Sequence, residues 1–271
     1  MSPLGPRFAA DTAPVRRHHG RRGIIMVRRD WEFDESKQLG PGFTIAAEVA
    51  GHDPRQRVPI EEDRALLDDL APAAGADLAD LGCGTGQFAC EAARRVRSVL
   101  AVDISQPLLD AARRRAESQG LANIRFQPAG FLSWEAPDAP LDMIVSKFAL
   151  HHLPDFWKAA ALRRMFEALK PGGRLFIRDV VFSCSPDEIE ATVATWMSWI
   201  ETATGYSRAD AARHLREEHS TFGWVMEGLL AAAGFRVIRS EYDPGGIYAD
   251  YLAIKPKHAR PGILPEDPEA A

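Results

Sequence analysis

Cysteine is scarce in this chain: Cys83, Cys90 and Cys184 are the three among 271 residues. An odd count with no Cys-x-x-Cys pair excludes a disulfide-stapled scaffold and a cysteine metal cluster, and fits a reduced, cytoplasmic setting. No apolar run approaches the roughly 18 residues that a membrane-crossing helix requires, so no span is expected. Positive charge is not in excess either: 33 Lys and Arg stand against 38 Asp and Glu, a net charge of -5. A surface built to follow a nucleic-acid backbone needs the opposite balance. The basic residues are moreover unevenly placed. Residues 1–25 carry five Arg against one Asp, with a cluster at 16–22, which leaves the remainder more acidic than the total suggests. That segment lacks the apolar centre of a secretory signal and is expected to be a disordered basic extension. The tail 257–271, with Pro261, Pro265 and Pro268, is expected to be disordered as well. What lies between is long enough for one substantial core, so one α/β domain with a lid is expected rather than two equal domains.

The most informative stretch that is present is Asp80-Leu81-Gly82-Cys83-Gly84-Thr85-Gly86. Three glycines at alternate positions follow an acidic residue at the end of an apolar run, and glycine permits both a tight strand-to-helix turn and close approach of backbone to a ligand. A dinucleotide fingerprint would place its third glycine three residues after the second, where this chain has Gln87. The segment therefore resembles motif I of S-adenosylmethionine-dependent methyltransferases, whose nucleoside cofactor has no phosphates. The run 99–102 reads as a buried strand ending at Asp103, 23 residues beyond Asp80. An acidic residue at that distance can accept hydrogen bonds from ribose hydroxyls. Its other reading is a helix cap, for which Ser105, two residues before Pro107, is better spaced.

The surrounding pattern agrees with the resemblance. Helical character over 87–97 and 107–118 alternates with strands at 99–102, 124–126 and 141–146, which implies parallel strands and a ligand crevice at their carboxyl ends. Lys170-Pro171-Gly172-Gly173 resembles the turn that introduces the family's fifth strand, and 235–242 with 247–254 reads as a closing hairpin. The resemblance covers about 61–255. It implies a Rossmann-like α/β fold: a seven-stranded, mostly parallel sheet with helices on both faces, a closing antiparallel hairpin and a helical lid. In domain terms it implies an N-terminal lid segment at 26–64 and a methyltransferase domain at 65–256 that contains a lid insertion at 183–233. One departure concerns the adenine. Relatives often carry an acidic residue after the third strand, but 127–131 is Gln-Pro-Ala-Gly-Phe, so backbone groups near Gly130 and Phe131 are expected to hold the base. The cofactor residues implied are Asp80, Leu81, Gly82, Cys83, Gly84, Gly86, Asp103, Ile104, Gly130, Phe131 and Ser146.

For the acceptor, the segments outside the cofactor scaffold supply Trp31, Phe43 and Trp196. Ile189, Val193, Trp196 or Met197, and Ile200 recur at helical spacing, a stripe that is more often core than ligand box. His151 and His152 follow the strongest strand; a histidine there can take an acceptor's proton near neutral pH, or serve the scaffold. The cluster 216–221 reads by default as solvated charge. Together these features point to methyl transfer from S-adenosylmethionine to a small-molecule acceptor, with resemblance to the quinone-biosynthesis C-methyltransferases and their O- and N-methylating cousins. No metal is expected. A nucleic-acid methyltransferase is the second reading, although Ser146-Lys147-Phe148-Ala149 lacks the Asn/Asp-Pro-Pro-aromatic grip on a flipped base. A non-catalytic S-adenosylmethionine-binding regulator is the third.

Overall fold

The structure, a computed structural model, describes residues 31–38 and 58–257. Phe43, the extension 1–25 and residues 258–271 of the tail lie outside the described residues. The chain divides into two compact units, Met1–Glu32 and Phe33–Ala271, and of the first only Trp31 and Glu32 are described. Trp31 is exposed there.

The second unit is built on a mostly parallel sheet. Strands β1 (Asp77–Leu81), β2 (Ser98–Asp103), β3 (Ile124–Pro128), β4 (Leu141–Lys147) and β5 (Leu169–Phe182) run parallel, while β7 (Arg236–Tyr242) and β8 (Tyr248–Ile254) close it antiparallel. The order is β3-β2-β1-β4-β5-β8-β7, and a two-residue strand that sequence reading missed, β6 (Thr221–Phe222), pairs with the end of β5. β1, β2 and β4 are buried along most of their length because both faces are covered. Alternate residues go to opposite layers: Leu78, Met143, Val145 and Phe176 to one, and Ala79, Ile144, Leu175 and Ile177 to the other.

Helices α1 (Ile60–Leu70), α2 (Gln87–Ala93) and α3 (Gln106–Ser118) cover the first layer with Leu67, Leu70, Phe88 and Leu109. Ser105 caps α3, its Oγ accepting from Leu108 N at 3.3 Å, with Pro107 in the first turn. On the other face, α4 (Asp155–Ala168) packs with a late helix, α7 (Gly223–Ala233), through Leu162, Met165, Met226 and Leu230.

Between β5 and α7 stand α5 (Ile189–Ala203) and α6 (Arg208–Glu217). The insertion expected at 183–233 is thus not one lid: α7 belongs to the main core, whereas α5 and α6 share a third apolar cluster containing Phe182, Trp196, Ile200 and Ala211. Trp196 and Ile200 of the predicted stripe are buried, and Ile189 at its start is exposed. Order β2-β1-β4 makes β1 and β4 the point at which the chain reverses its direction of travel across the sheet, where the loops after the two strands part and leave a crevice.

Because Ile144 is fully buried in the central strand, Ile144→Ala is expected to lower unfolding free energy by about 2–5 kcal/mol. Urea denaturation checks this, and a loss below about 1 kcal/mol would contradict the packing described.

Candidate active site

The loop after β1 is held by backbone bonds and by one carboxylate. Gly82 N and Cys83 N both donate to Val102 O, at 2.8 and 2.9 Å. Asp103 Oδ2 accepts from Gly84 N and its Oδ1 from Ser105 N, both at 2.8 Å, so the residue expected at the ribose also ties two loops together. Gly82 and Gly86 have φ of 78° and 75°. A Cβ at 82 would stand 2.3 Å from the Ala149 methyl, and one at 86 would stand 2.8 Å from that of Ala112. The first glycine lets the loops after β1 and β4 touch; the second lets α2 begin against α3.

These loops open on a cleft of about 860 Å³, within the usual range for small-molecule sites. Asp80, Leu81, Gly82, Cys83, Gly84, Asp103, Ile104, Gly130, Phe131, His151, His152 and Trp196 all line it. Gly86 and Ser146 do not: Gly86 is packed against α3, and Ser146 is buried within β4.

Asp80 is buried, and its Oδ2 has no hydrogen-bond partner among the described residues. Burial pushes its carboxyl up to about 7, with Lys147 opposing the rise. Lys147 itself forms a buried ion pair with Asp63, from the first turn of α1, whose other oxygen accepts from Gln87 Nε2 at 3.0 Å. The place after β3, which has no local carboxylate, receives one from far away. Glu35, in the short 3-10 helix Glu35–Gln38, accepts from Leu132 N at 3.0 Å and Ser133 Oγ at 3.2 Å, and a Cβ at Gly130 would strike its carboxylate. Burial raises Glu35 above the usual carboxylate range.

At the other end of the cleft the 3-10 helix Leu150–His152 turns the two histidines inward. His151 Nδ1 is bonded to Asp179 at the end of β5, and its Nε2 lies 3.2 Å from Glu218 Oε2. Burial alone would lower His151, but the Asp179 and Glu218 carboxylates outweigh it and push the imidazole up to about 9. His152, by contrast, is pushed down to about 3 by burial and by the neighbouring His151 charge. Glu218 also meets His214 Nδ1, and although burial opposes this, the two histidines hold its carboxyl well below the usual range. Glu218 therefore departs from the expected solvated face. Beside this cluster is an aromatic wall: Trp196 Nε1 donates to Tyr248 OH at 3.1 Å, and Phe148 and Trp199 each meet the Tyr248 ring edge-on at 5.8 Å. Phe148 takes φ of 51°, a left-handed backbone that a bulky residue adopts only under constraint.

Sequence reasoning missed Glu35, Asp63, Lys147, Asp179, His214 and Glu218. Asp179 carried a local signal, a carboxylate inside the apolar run of a central strand, two residues after Ile177.

Residues 78–173 match a family described as "Methyltransferase domain". The chain is 40% identical over 114 residues to "Uncharacterized methyltransferase Rv0089" of Mycobacterium tuberculosis (strain ATCC 25618 / H37Rv), covering 42% of this chain and 55% of that protein. It thus spans about half the length of that relative. It is 26% identical over 189 residues to an uncharacterized methyltransferase of Anoxybacillus flavithermus (strain DSM 21510 / WK1), covering 70% of this chain and 83% of the relative. Among solved structures it resembles the SAM dependent methyltransferase from Aquifex aeolicus, with a TM-score of 0.57 at 20% identity, over 83% of this chain and 100% of that one. The chain thus carries a methyltransferase domain over 78–173, set on a mostly parallel sheet whose order brings the glycine loop to its reversal point.

Proposed function

We propose that this chain transfers a methyl group from S-adenosylmethionine to an oxygen, nitrogen or carbon nucleophile of a small-molecule acceptor, releasing S-adenosylhomocysteine. The observation that carries the reading is the buried Asp80 oxygen, which faces the cleft beside the glycine loop without a partner among the described residues. An unpartnered buried acceptor calls for a donor, and the ammonium of an amino-acid tail supplies one. The cleft's carboxylates, Asp80, Asp103, Glu35 and Glu62 among them, favour a cationic ligand over a diphosphate.

When bound, S-adenosylmethionine would supply an activated methyl on its sulfonium, to be exchanged for the acceptor's proton, which leaves to solvent. The chain supplies position and dryness. In this reading Asp80 would hold the tail, Asp103 the ribose hydroxyls, and Glu35 with the backbone near Gly130 and Phe131 the adenine edge. Trp199 and Tyr248 offer flat apolar contact for an acceptor ring of the quinone-precursor type, with α5 and α6 as the cover. His152 is neutral and a weak base, far from the matched pKa that proton transfer favours, so its part is to position the acceptor. His151, with carboxylates on both ring nitrogens, is likewise no free base.

Turnover of the full chain with S-adenosylmethionine, scored by S-adenosylhomocysteine release, tests this reading against metabolite fractions, RNA and DNA in parallel. Release with a metabolite fraction is expected. Release with nucleic acid alone would overturn the small-molecule acceptor, and cofactor binding without release on any pool would make the chain a regulator.

A second expectation concerns protons. Asp80 keeps its proton up to about pH 7 in the free protein, and an adjacent cation favours the ionised form, so binding of S-adenosylhomocysteine, whose tail keeps the ammonium, should expel a proton. Calorimetry in buffers of different ionisation heat should show release of up to one proton per site at about pH 6, fading above about pH 8. Asp80→Asn should abolish the release. Buffer-independent heats at the lower pH would contradict the contact between Asp80 and the tail.

A further inference from the structure

The histidine cluster is more elaborate than positioning one acceptor requires. His151 and His152 come from the turn after β4, Glu218 from the position just after α6, and all three line the cleft. One ligand-capable atom from each lies within 4.8 Å of the others. His151 Nε2 and Glu218 Oε2 are 3.2 Å apart. Two donors on a four-coordinate zinc-sized ion, each at about 2.0–2.2 Å, stand roughly 3.4 Å apart. The spacing is compatible with a shared ion, and His152, with a ligand atom within 4.8 Å of the other two, makes a three-point set.

The outer contacts follow the same logic. Metal-binding histidines usually donate their other ring N–H to a carboxylate, which fixes the tautomer and aims the ligand nitrogen. His151 Nδ1 is bonded to Asp179, whose second oxygen accepts from the His151 backbone N at 2.9 Å. Glu218 is aimed by His214, whose Nε2 lies 2.7 Å from Ser220 Oγ. Two imidazoles and one carboxylate suit a first-row ion of the zinc class better than magnesium, which prefers an all-oxygen set.

We propose that His151, His152 and Glu218 bind one divalent ion of the zinc class, with Asp179 and His214 as positioning residues and a fourth coordination position open to the acceptor end of the cleft. Three protein ligands with an open position are the arrangement of catalytic rather than structural zinc. The fourth position would take the lone pair of an acceptor hydroxyl or amine. That acceptor role rests on the methyl-transfer reading; the binding of the ion does not.

The test uses the untagged full chain with His18 and His19 replaced by alanine, so that this sequence pair cannot contribute. The protein is stripped with a chelator, and zinc is titrated in against a chromophoric competitor. One ion per chain is expected, with Glu218→Gln and His152→Gln weakening affinity at least about 100-fold and Asp179→Asn about 10- to 100-fold. S-adenosylhomocysteine binding reports whether each variant folds. Cobalt in the unsubstituted cluster should give the visible absorption of a low-coordinate nitrogen and oxygen site, a readout that needs no variant. Substoichiometric zinc, or affinity unchanged in folded Glu218→Gln, would overturn the proposal and mark the cluster as a buried ion-pair network. Stoichiometric zinc without methyl transfer would sustain this site while rejecting the activity; turnover in a chain that binds no ion would do the reverse.

Discussion

The contact between Gly82 and Ala149 is the constraint on which the cleft depends. With only 2.3 Å available to a Cβ at position 82, the loops after β1 and β4 can meet only because that residue has none. The meeting fixes where Asp80 and Lys147 stand relative to each other, and it sets the turn that carries His151 and His152. Asp103 completes the frame from β2 by holding Gly84 N and Ser105 N. Three strand ends are thereby locked in register at the reversal point of the sheet, and the ligand-facing groups are delivered by rigid elements rather than by free loops. This is the arrangement that precise positioning of two reactants requires.

The cleft concentrates charge that the interior would otherwise exclude. Asp63 with Lys147 and His151 with Asp179 are paired and almost wholly buried. Such pairs gain little net stability, because desolvation offsets their attraction. Their value here is orientation: Lys147 balances Asp80 without occupying it, and Asp179 fixes which nitrogen of His151 faces Glu218. The strained backbone at Phe148 belongs to the same arrangement, since it places the ring against Tyr248 directly after the strand that ends in Lys147.

The legible parts of the sequence were those whose signal is local. The glycine spacing, the acidic residue after β2, the Ser105 cap and the alternation of apolar runs with helical stretches can each be read within a window of a dozen residues. The strands 99–102, 141–146 and 247–254 fall inside β2, β4 and, but for Ile247, β8. What could not be read depends on distant pairing. Glu35 reaches Leu132 across 97 residues, so a carboxylate absent from the local sequence after β3 is present in space. Glu218 sits in a run of charged residues and looks solvated until α6 folds its end against His151. α7 looked like part of a cover because its apolar residues carry no mark of which layer they join; only its packing on α4 assigns it to the core.

The central claim is that the glycine loop and the carboxylates around it select a nucleoside with an amino-acid tail over a dinucleotide. Calorimetric titration of the full chain with S-adenosylhomocysteine and, separately, with NAD tests it most directly. The account predicts saturable binding of one S-adenosylhomocysteine per chain and no heat with NAD. Saturable NAD binding with no response to S-adenosylhomocysteine would contradict it.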